Sequence, residues 1–254
     1  MALLDAFLVR TRPEPLGAPI APGARAWVVD LGFGERADTS VELLEALRGA
    51  GMGLQVLGVE REAHRVEAAR EAHAGRSGLV FRQGGFALPL QPDEDVRLVR
   101  VMNVLRGYPL DQAQASLEAL GQVLPDGALV CEGSADPEGH LLTCHLLRAR
   151  SGRLDREALL VCTDFARGFA PLQFRDWLPR DLRRSVRPGH WSHALFSAWT
   201  GAFEAARAEG LVDPVERFAA SVRGLAAQVQ GIDVSEQALR AGQLVWRPEG
   251  GVPC

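Results

Sequence analysis

The chain contains no lysine, so its 28 basic residues are all arginine. In a sequence also rich in alanine, glycine and proline, this bias reads as coding from a GC-rich genome, and arginine abundance does not by itself mark an anion site. Cysteine is scarce: Cys131, Cys144, Cys162 and Cys254 lie far apart, form no C-x-x-C pair and read as reduced thiols of a cytoplasmic protein. Long hydrophobic runs are missing too. The apolar stretch over residues 2–9 has no basic residue ahead of it and falls short of a bilayer span, and no later segment approaches one. Positive charge is not in surplus. A net charge of −4 argues against broad attraction to nucleic acid and leaves only a local patch open. With 254 residues, 47% of them hydrophobic, the chain has material for one substantial core, or one core with an appendage.

What is present is organised around Trp27-Val28-Val29-Asp30-Leu31-Gly32-Phe33-Gly34 and its continuation to Thr39-Ser40-Val41-Glu42. An apolar run of strand type passes at once into two glycines one residue apart, and a helix start comes after them. Thr39 and Glu42 have the spacing of a capping box, ahead of apolar Val41, Leu44 and Leu47. Strand, glycine turn and helix bring backbone N–H groups close to a ligand, and Gly32 and Gly34 remove the Cβ atoms that would block the approach. Asp30 offers a carboxylate at the mouth of the same crevice. An ordinary strand-to-helix turn would look the same in isolation; the acid and glycines further along the chain favour a nucleotide-type cofactor site.

From residue 24 to residue 134, apolar runs at 26–31, 54–60, 79–81, 96–104 and 128–131 alternate with helical patterns at 40–48, 62–73 and 111–123. This alternation predicts an α/β fold: a doubly wound, Rossmann-like, mostly parallel sheet with right-handed crossovers. Residues 1–24 predict an N-terminal helix and a connector, because Pro13, Pro15, Pro19 and Pro22 stop the helix from continuing. Glu60 ends the second strand, where an acid suits hydrogen bonding to ribose hydroxyls; alone, it reads equally as a first-turn acid of the next helix. After the third strand, Gly84-Gly85-Phe86 suits a flat ring near the backbone, or a plain turn. Asn103, Arg106 and Tyr108 come after the fourth strand, at the edge where open α/β sheets bind ligands.

Taken together, these pieces resemble a class I S-adenosylmethionine-dependent methyltransferase, of a bacterial branch, over roughly residues 24–165. Leu124-Pro125-Asp126-Gly127 resembles that family's turn into the fifth strand. The resemblance implies that Gly32, Phe33 and Gly34 line the methionine part of the cofactor and that Glu60 holds the ribose hydroxyls. It implies further that Gly85 and Phe86 border the adenine, that Asn103 joins the cofactor set, and that Asp30 fixes the loop or, through water, the amino group. The chain departs from the pattern at two places. Arg36 stands where the third loop glycine belongs, and Gly85-Phe86 stands where an adenine-side acid is common.

Further on, residues 141–149 and 158–165 predict a hairpin at the sheet's edge, which makes residues 25–165 one methyltransferase-like domain with an antiparallel edge. Residues 166–254 change character. Helical stretches at 192–209 and 213–229 predict a C-terminal helical cap over the crevice that chooses the substrate, with a final strand near 243–248. Arg175, Arg180, Arg183, Arg184 and Arg187 with Trp177 and Trp191 have the composition for phosphate contact and base stacking, but a solvated loop in an arginine-only chain is preferred. His190 and His193, or His140, Cys144 and His145, have no further ligand at a recognisable spacing, so no metal site is expected.

The expected activity is methyl transfer from S-adenosylmethionine to a small-molecule acceptor, with Tyr108 and His190 as the candidate catalytic bases. No Asn/Asp-Pro-Pro-Tyr signature occurs, which argues against adenine or glutamine N-methylation. Two alternatives stay open: a non-catalytic cofactor-binding or scaffold protein, motivated by Arg36, and an NAD-dependent Rossmann oxidoreductase, whose third glycine would be Ala37. The acceptor and the oligomeric state are not legible.

Overall fold

The computed structural model describes residues 1–19, 25–183 and 185–253. The end of the proline-rich connector, Arg184 and Cys254 lie outside the described residues. The chain divides into two compact units, Met1–Glu132 with Leu147–Asp155, and Gly133–Leu146 with Arg156–Cys254. The division runs across strands rather than through a linker.

In the first unit, helix α1 (Ala2–Thr11) buries Leu4, Phe7 and Leu8 and lies against α2 (Asp38–Gly49). Strands β1 (Arg25–Leu31), β2 (Gln55–Glu60), β3 (Leu79–Gln83) and β4 (Glu94–Met102) pair in parallel in the order β3-β2-β1-β4. Helices α2, α3 (Ala63–Ala72) and α4 (Leu110–Val123) supply the crossovers. Alternation along β1 sorts the two faces. Trp27, Val29 and Leu31 pack with Leu57, Val99 and, from α4, Ala113 and Leu120. Asp30 points to the other face, where α1 and α2 lie. Helices on both faces make this a doubly wound, Rossmann-like sheet, as expected.

The full strand order is β3-β2-β1-β4-β5-β6-β7-β8, with β5 (Leu129–Ala135), β6 (Leu141–Arg150), β7 (Arg153–Thr163) and β8 (Gln243–Trp246). Ala149 N–H donates to Ala128 O at 2.9 Å and Asp136 N–H to Leu141 O at 3.0 Å, so β5 and β6 form an antiparallel hairpin. The reason is local: residues 136–140 are too few for a crossover. Asp136 closes the turn by accepting from Leu141 N–H at 2.8 Å, and Gly139 takes φ +79°. β7 and β8 are antiparallel as well, with Leu160 opposite Val245.

The second unit also carries a 3₁₀ segment (Pro171–Trp177), α5 (Trp191–Ala208), α6 (Pro214–Ala226) and the short α7 (Glu236–Arg240). The expected helices at 192–209 and 213–229 and the final strand are all present. Asp213 caps α6, accepting from the backbone N–H groups of Val215 and Glu216, and Pro214 occupies the first helical position. The core here is aromatic: Phe174 stacks on Trp199 with centroids 5.7 Å apart, and Phe169 meets Phe218 edge-on at 5.0 Å. Trp199 Nε1 donates to Ser221 Oγ at 3.1 Å, which satisfies its buried polar atom. Where α5 and α6 meet, a Cβ on Gly224 would lie 2.9 Å from that of Ala202, so only glycine allows the approach.

Three expectations need correction. Thr39 and Glu42 form no capping box: α2 starts two residues earlier, behind Ala37 at φ 55°, with no side-chain cap. Strand β7 begins at Arg153 rather than 158, because its polar first half carries no apolar run. Strand β5 runs on to Ala135 through Glu132, Gly133 and Ser134, residues without an apolar signature. The cysteines Cys131, Cys144 and Cys162 are buried, with no disulfide among the described residues. No helix among the described residues is long and apolar enough to cross a membrane.

Candidate cofactor site

β1 has β2 on one side and β4 on the other, so the winding of the sheet reverses there. At such a reversal the loops leaving the strands' carboxyl ends separate into a crevice, where open α/β sheets take ligands. The glycine turn leaves β1 at this point. Gly32 has φ +77° and Gly34 φ +82°, values that side chains rarely tolerate. A Cβ on Gly32 would also lie 2.5 Å from Val104 Cγ2, while nothing lies within 4 Å of the Cβ position on Gly34. Gly32 is therefore needed for packing, and Gly34 leaves open room. Gly32 N–H donates to Val59 O at 2.7 Å, which ties the turn to the end of β2.

Glu60 sits across that turn. Its carboxylate is 8% exposed, and Oε2 accepts from Gly34 N–H at 3.1 Å. Oε1 accepts from the N–H groups of Arg61 at 2.8 Å and Glu62 at 3.3 Å, at the start of α3, and Arg65 stands 3.8 Å away. A buried carboxylate facing the glycine turn and held mainly by backbone amides suits a pair of vicinal hydroxyls, which can take over an amide's place.

Asp30 differs from expectation. It is not a free carboxylate at the crevice mouth: its Oδ2 accepts from Thr39 Oγ1 at 2.9 Å and Ser40 Oγ at 2.7 Å, and its Oδ1 from Arg100 Nε at 3.0 Å. The strand register explains the last contact, because Asp30 is the cross-strand partner of Arg100. Arg100, fully buried, also donates to Asp5 Oδ1 at 2.6 Å and to Thr39 O at 2.7 Å. Burial would raise the Asp30 carboxyl, but the guanidinium and the two hydroxyls hold it below the ordinary aspartate range. For Asp5, burial outweighs the help from Arg100 and the carboxyl is raised. Asp30 thus fixes the loop and the start of α2. Arg100 and Asp5 were missed, although Val99-Arg100-Val101, a charge set directly between apolar strand residues, signals that some acid must be buried beside it.

The Phe33 ring turns away into the core, 5.1 Å edge-to-face from Phe81, and both rings crowd the Cβ position of Gly58. What Phe33 has left for a ligand is backbone. Gly85 has open space at its Cβ position, and half-buried Phe86 meets Tyr108 edge-on at 6.4 Å. Asn103 is exposed just after β4, at φ 63°. Glu60 closes β2, and the glycine turn, Gly85-Phe86 and Asn103 come past the carboxyl ends of β1, β3 and β4.

The candidate base His190 is a helix cap: its Nδ1 accepts from Ser192 N–H and lies 2.7 Å from Ser192 Oγ at the start of α5. Trp177 and Trp191 pack against the aromatic core, Trp191 lying 5.1 Å from Trp246, so these rings are not stacking platforms. The second unit holds two histidine–carboxylate pairs that the sequence did not announce. His140 Nδ1 lies 2.7 Å from Asp164 Oδ2, and buried His145 Nε2 lies 3.1 Å from Asp181 Oδ1. Arg156 completes the second pair at 2.8 Å from Asp181.

No protein-family model and no curated protein sequence matches the chain. Among solved structures it is similar to LepI in complex with SAM, at 21% identity and TM-score 0.39 over 48% of this chain and 30% of that one. It is similar to magnesium protoporphyrin IX methyltransferase (ChlM) from Synechocystis PCC 6803 with bound SAH, at 22% identity and TM-score 0.36, covering 51% and 52% of the two chains. An S-adenosylmethionine dependent methyltransferase from Mesorhizobium loti gives 22% identity and TM-score 0.34, covering 51% and 52%. The chain thus spans from under a third to about half of these proteins' own lengths. At these TM-scores the functional reading rests on the chain's own geometry.

Proposed function

We propose that the chain is a class I S-adenosylmethionine-dependent methyltransferase that acts on a small-molecule acceptor in the cytoplasm. The observation that supports this most is the Glu60 carboxylate, buried at the end of β2 and holding the Gly34 amide across the mouth of the glycine turn. The donor set fits an adenosine-bearing ligand. Glu60 would hold the ribose hydroxyls, and the backbone of Gly32, Phe33 and Gly34 would border the methionine part. Gly85 and Phe86 would border the adenine, with Asn103 on the far side of the crevice. Asp30 would serve the site by holding the turn in place through Thr39 and Ser40.

S-adenosylmethionine, when bound, supplies an electrophilic methyl carbon on a sulfonium, so the chemistry belongs largely to the cofactor. The chain's residues have the tasks of orientation and water exclusion. A base is required only for a protonated, weakly nucleophilic acceptor. With His190 engaged as a cap, Tyr108 beside Phe86 is the candidate left from the sequence.

Calorimetry with S-adenosylmethionine and its demethylated product tests the reading. Saturable binding of both, reduced in Glu60→Gln, supports it. No binding of either at millimolar concentration removes it, and a thermal shift with NAD alone would reassign the site to a nicotinamide enzyme. Binding without turnover across a broad acceptor panel would favour a non-catalytic scaffold.

A further inference from the structure

The second unit contains a cavity of about 480 Å³ between the 3₁₀ segment, the loop through residues 186–188 and the first turns of α5. Its wall has an apolar part, formed by Leu172, Val186 and Phe196, and a polar part, formed by Arg175, His193 and Ser197. No carboxylate lines it among the described residues, although the protein as a whole carries a net charge of −4. Arg175, like Arg183 and Arg187 of the same unit, is exposed and makes no ion pair among the described residues; of the three, it is the one that lines the cavity. His193 and Ser197 stand one helical turn apart on α5, with His193 Nδ1 3.4 Å from Ser197 Oγ, so both polar side chains lie along one wall. The volume falls in the range of small-molecule pockets, which are mostly apolar with a few convergent polar groups.

We infer that this cavity binds a small organic carboxylate with an apolar body, its carboxylate on Arg175 and its hydrocarbon part against Leu172, Val186 and Phe196. The guanidinium fork matches a carboxylate with two parallel hydrogen bonds, and the hydroxyl of Ser197 offers another. A bare oxyanion would leave the apolar wall unused, and a neutral apolar molecule would gain nothing from the guanidinium. The site rests on the second unit alone and does not depend on the cofactor reading.

The test is titration calorimetry on the full chain without cofactor, using 3-phenylpropanoate, its neutral alcohol and inorganic phosphate as probes. Saturable binding of the carboxylate is expected, with the alcohol and phosphate each about tenfold weaker or worse, since a hydrogen bond to a charged group is worth that factor or more. Arg175→Gln should weaken the carboxylate by about the same factor. Ser197→Trp, at an exposed position of α5, should plug the cavity and abolish binding while circular dichroism stays unchanged. The inference is overturned if the alcohol or phosphate binds as tightly as the carboxylate, if Ser197→Trp binds as wild type does, or if no saturable carboxylate binding occurs up to millimolar concentrations.

Discussion

Two neighbouring strands end in acids, and the two ends do different work. At the end of β1, both oxygens of Asp30 are engaged, by hydroxyls from α2 and by a guanidinium from β4. At the end of β2, Glu60 is held by backbone amides of the turn and of α3, with a cation only at 3.8 Å. Both are buried and both lie beside the glycine turn. The partners tell them apart. A carboxylate saturated by side chains and a buried charge holds the fold, whereas one held by exchangeable amides can hand an oxygen to a ligand.

The sharpest way to break this contrast is Arg100→Met. It leaves Asp30 and Asp5 buried together without their cation and should cost about 3–5 kcal/mol, read as a lowered denaturation midpoint. Glu60→Gln should do the reverse: affinity for S-adenosylmethionine falls by about ten- to a hundredfold, with stability changed by less than about 1 kcal/mol. Loss of stability comparable to Arg100→Met, with affinity intact, would erase the distinction between the two strand ends.

A third acid, Asp181, extends the comparison to the second unit. Burial would raise its carboxyl, but His145 and Arg156 more than offset this and hold it down to about 2. A depressed folded value stabilises the native state at pH above the ordinary aspartate range and loses that contribution as pH falls toward 2. The contribution is on the order of 2 kcal/mol. Asp181→Asn should therefore flatten the acid limb of the unfolding curve between about pH 4 and pH 2. Asp5→Asn should have the smallest effect, under about 1 kcal/mol at neutral pH, because burial already raises that carboxyl and Arg100 keeps Asp30 as its counter-ion.

Strands β1 to β4 were legible because each is an apolar run bounded by glycine, proline or polar residues, and a parallel sheet buries such runs on both faces. Glu60 and the two glycines were legible because their order along the chain matches a known geometry. Asp30 was legible as an anchor of the glycine loop but not as a member of a buried ion pair, which depends on Arg100, far along the chain, brought opposite only by the β1–β4 register. The capping box failed for a related reason, since Asp30 takes the hydroxyl that Thr39 would have spent on the helix start. The polar first half of β7 left no pattern to read, and the cavity on α5 is built from three segments whose meeting no spacing announces.

The turn through residues 136–140 also bears on how the sheet assembles. Strands β5, β6 and β7 are joined by turns of a few residues, so their pairing closes short loops at little entropic cost. Pairing β1 with β4 must first bring together segments separated by two whole helices and two strands. In pulse-labelled refolding, amides of the β5–β6–β7 meander should gain protection before those of β1, the late arrival on which the glycine turn is hung.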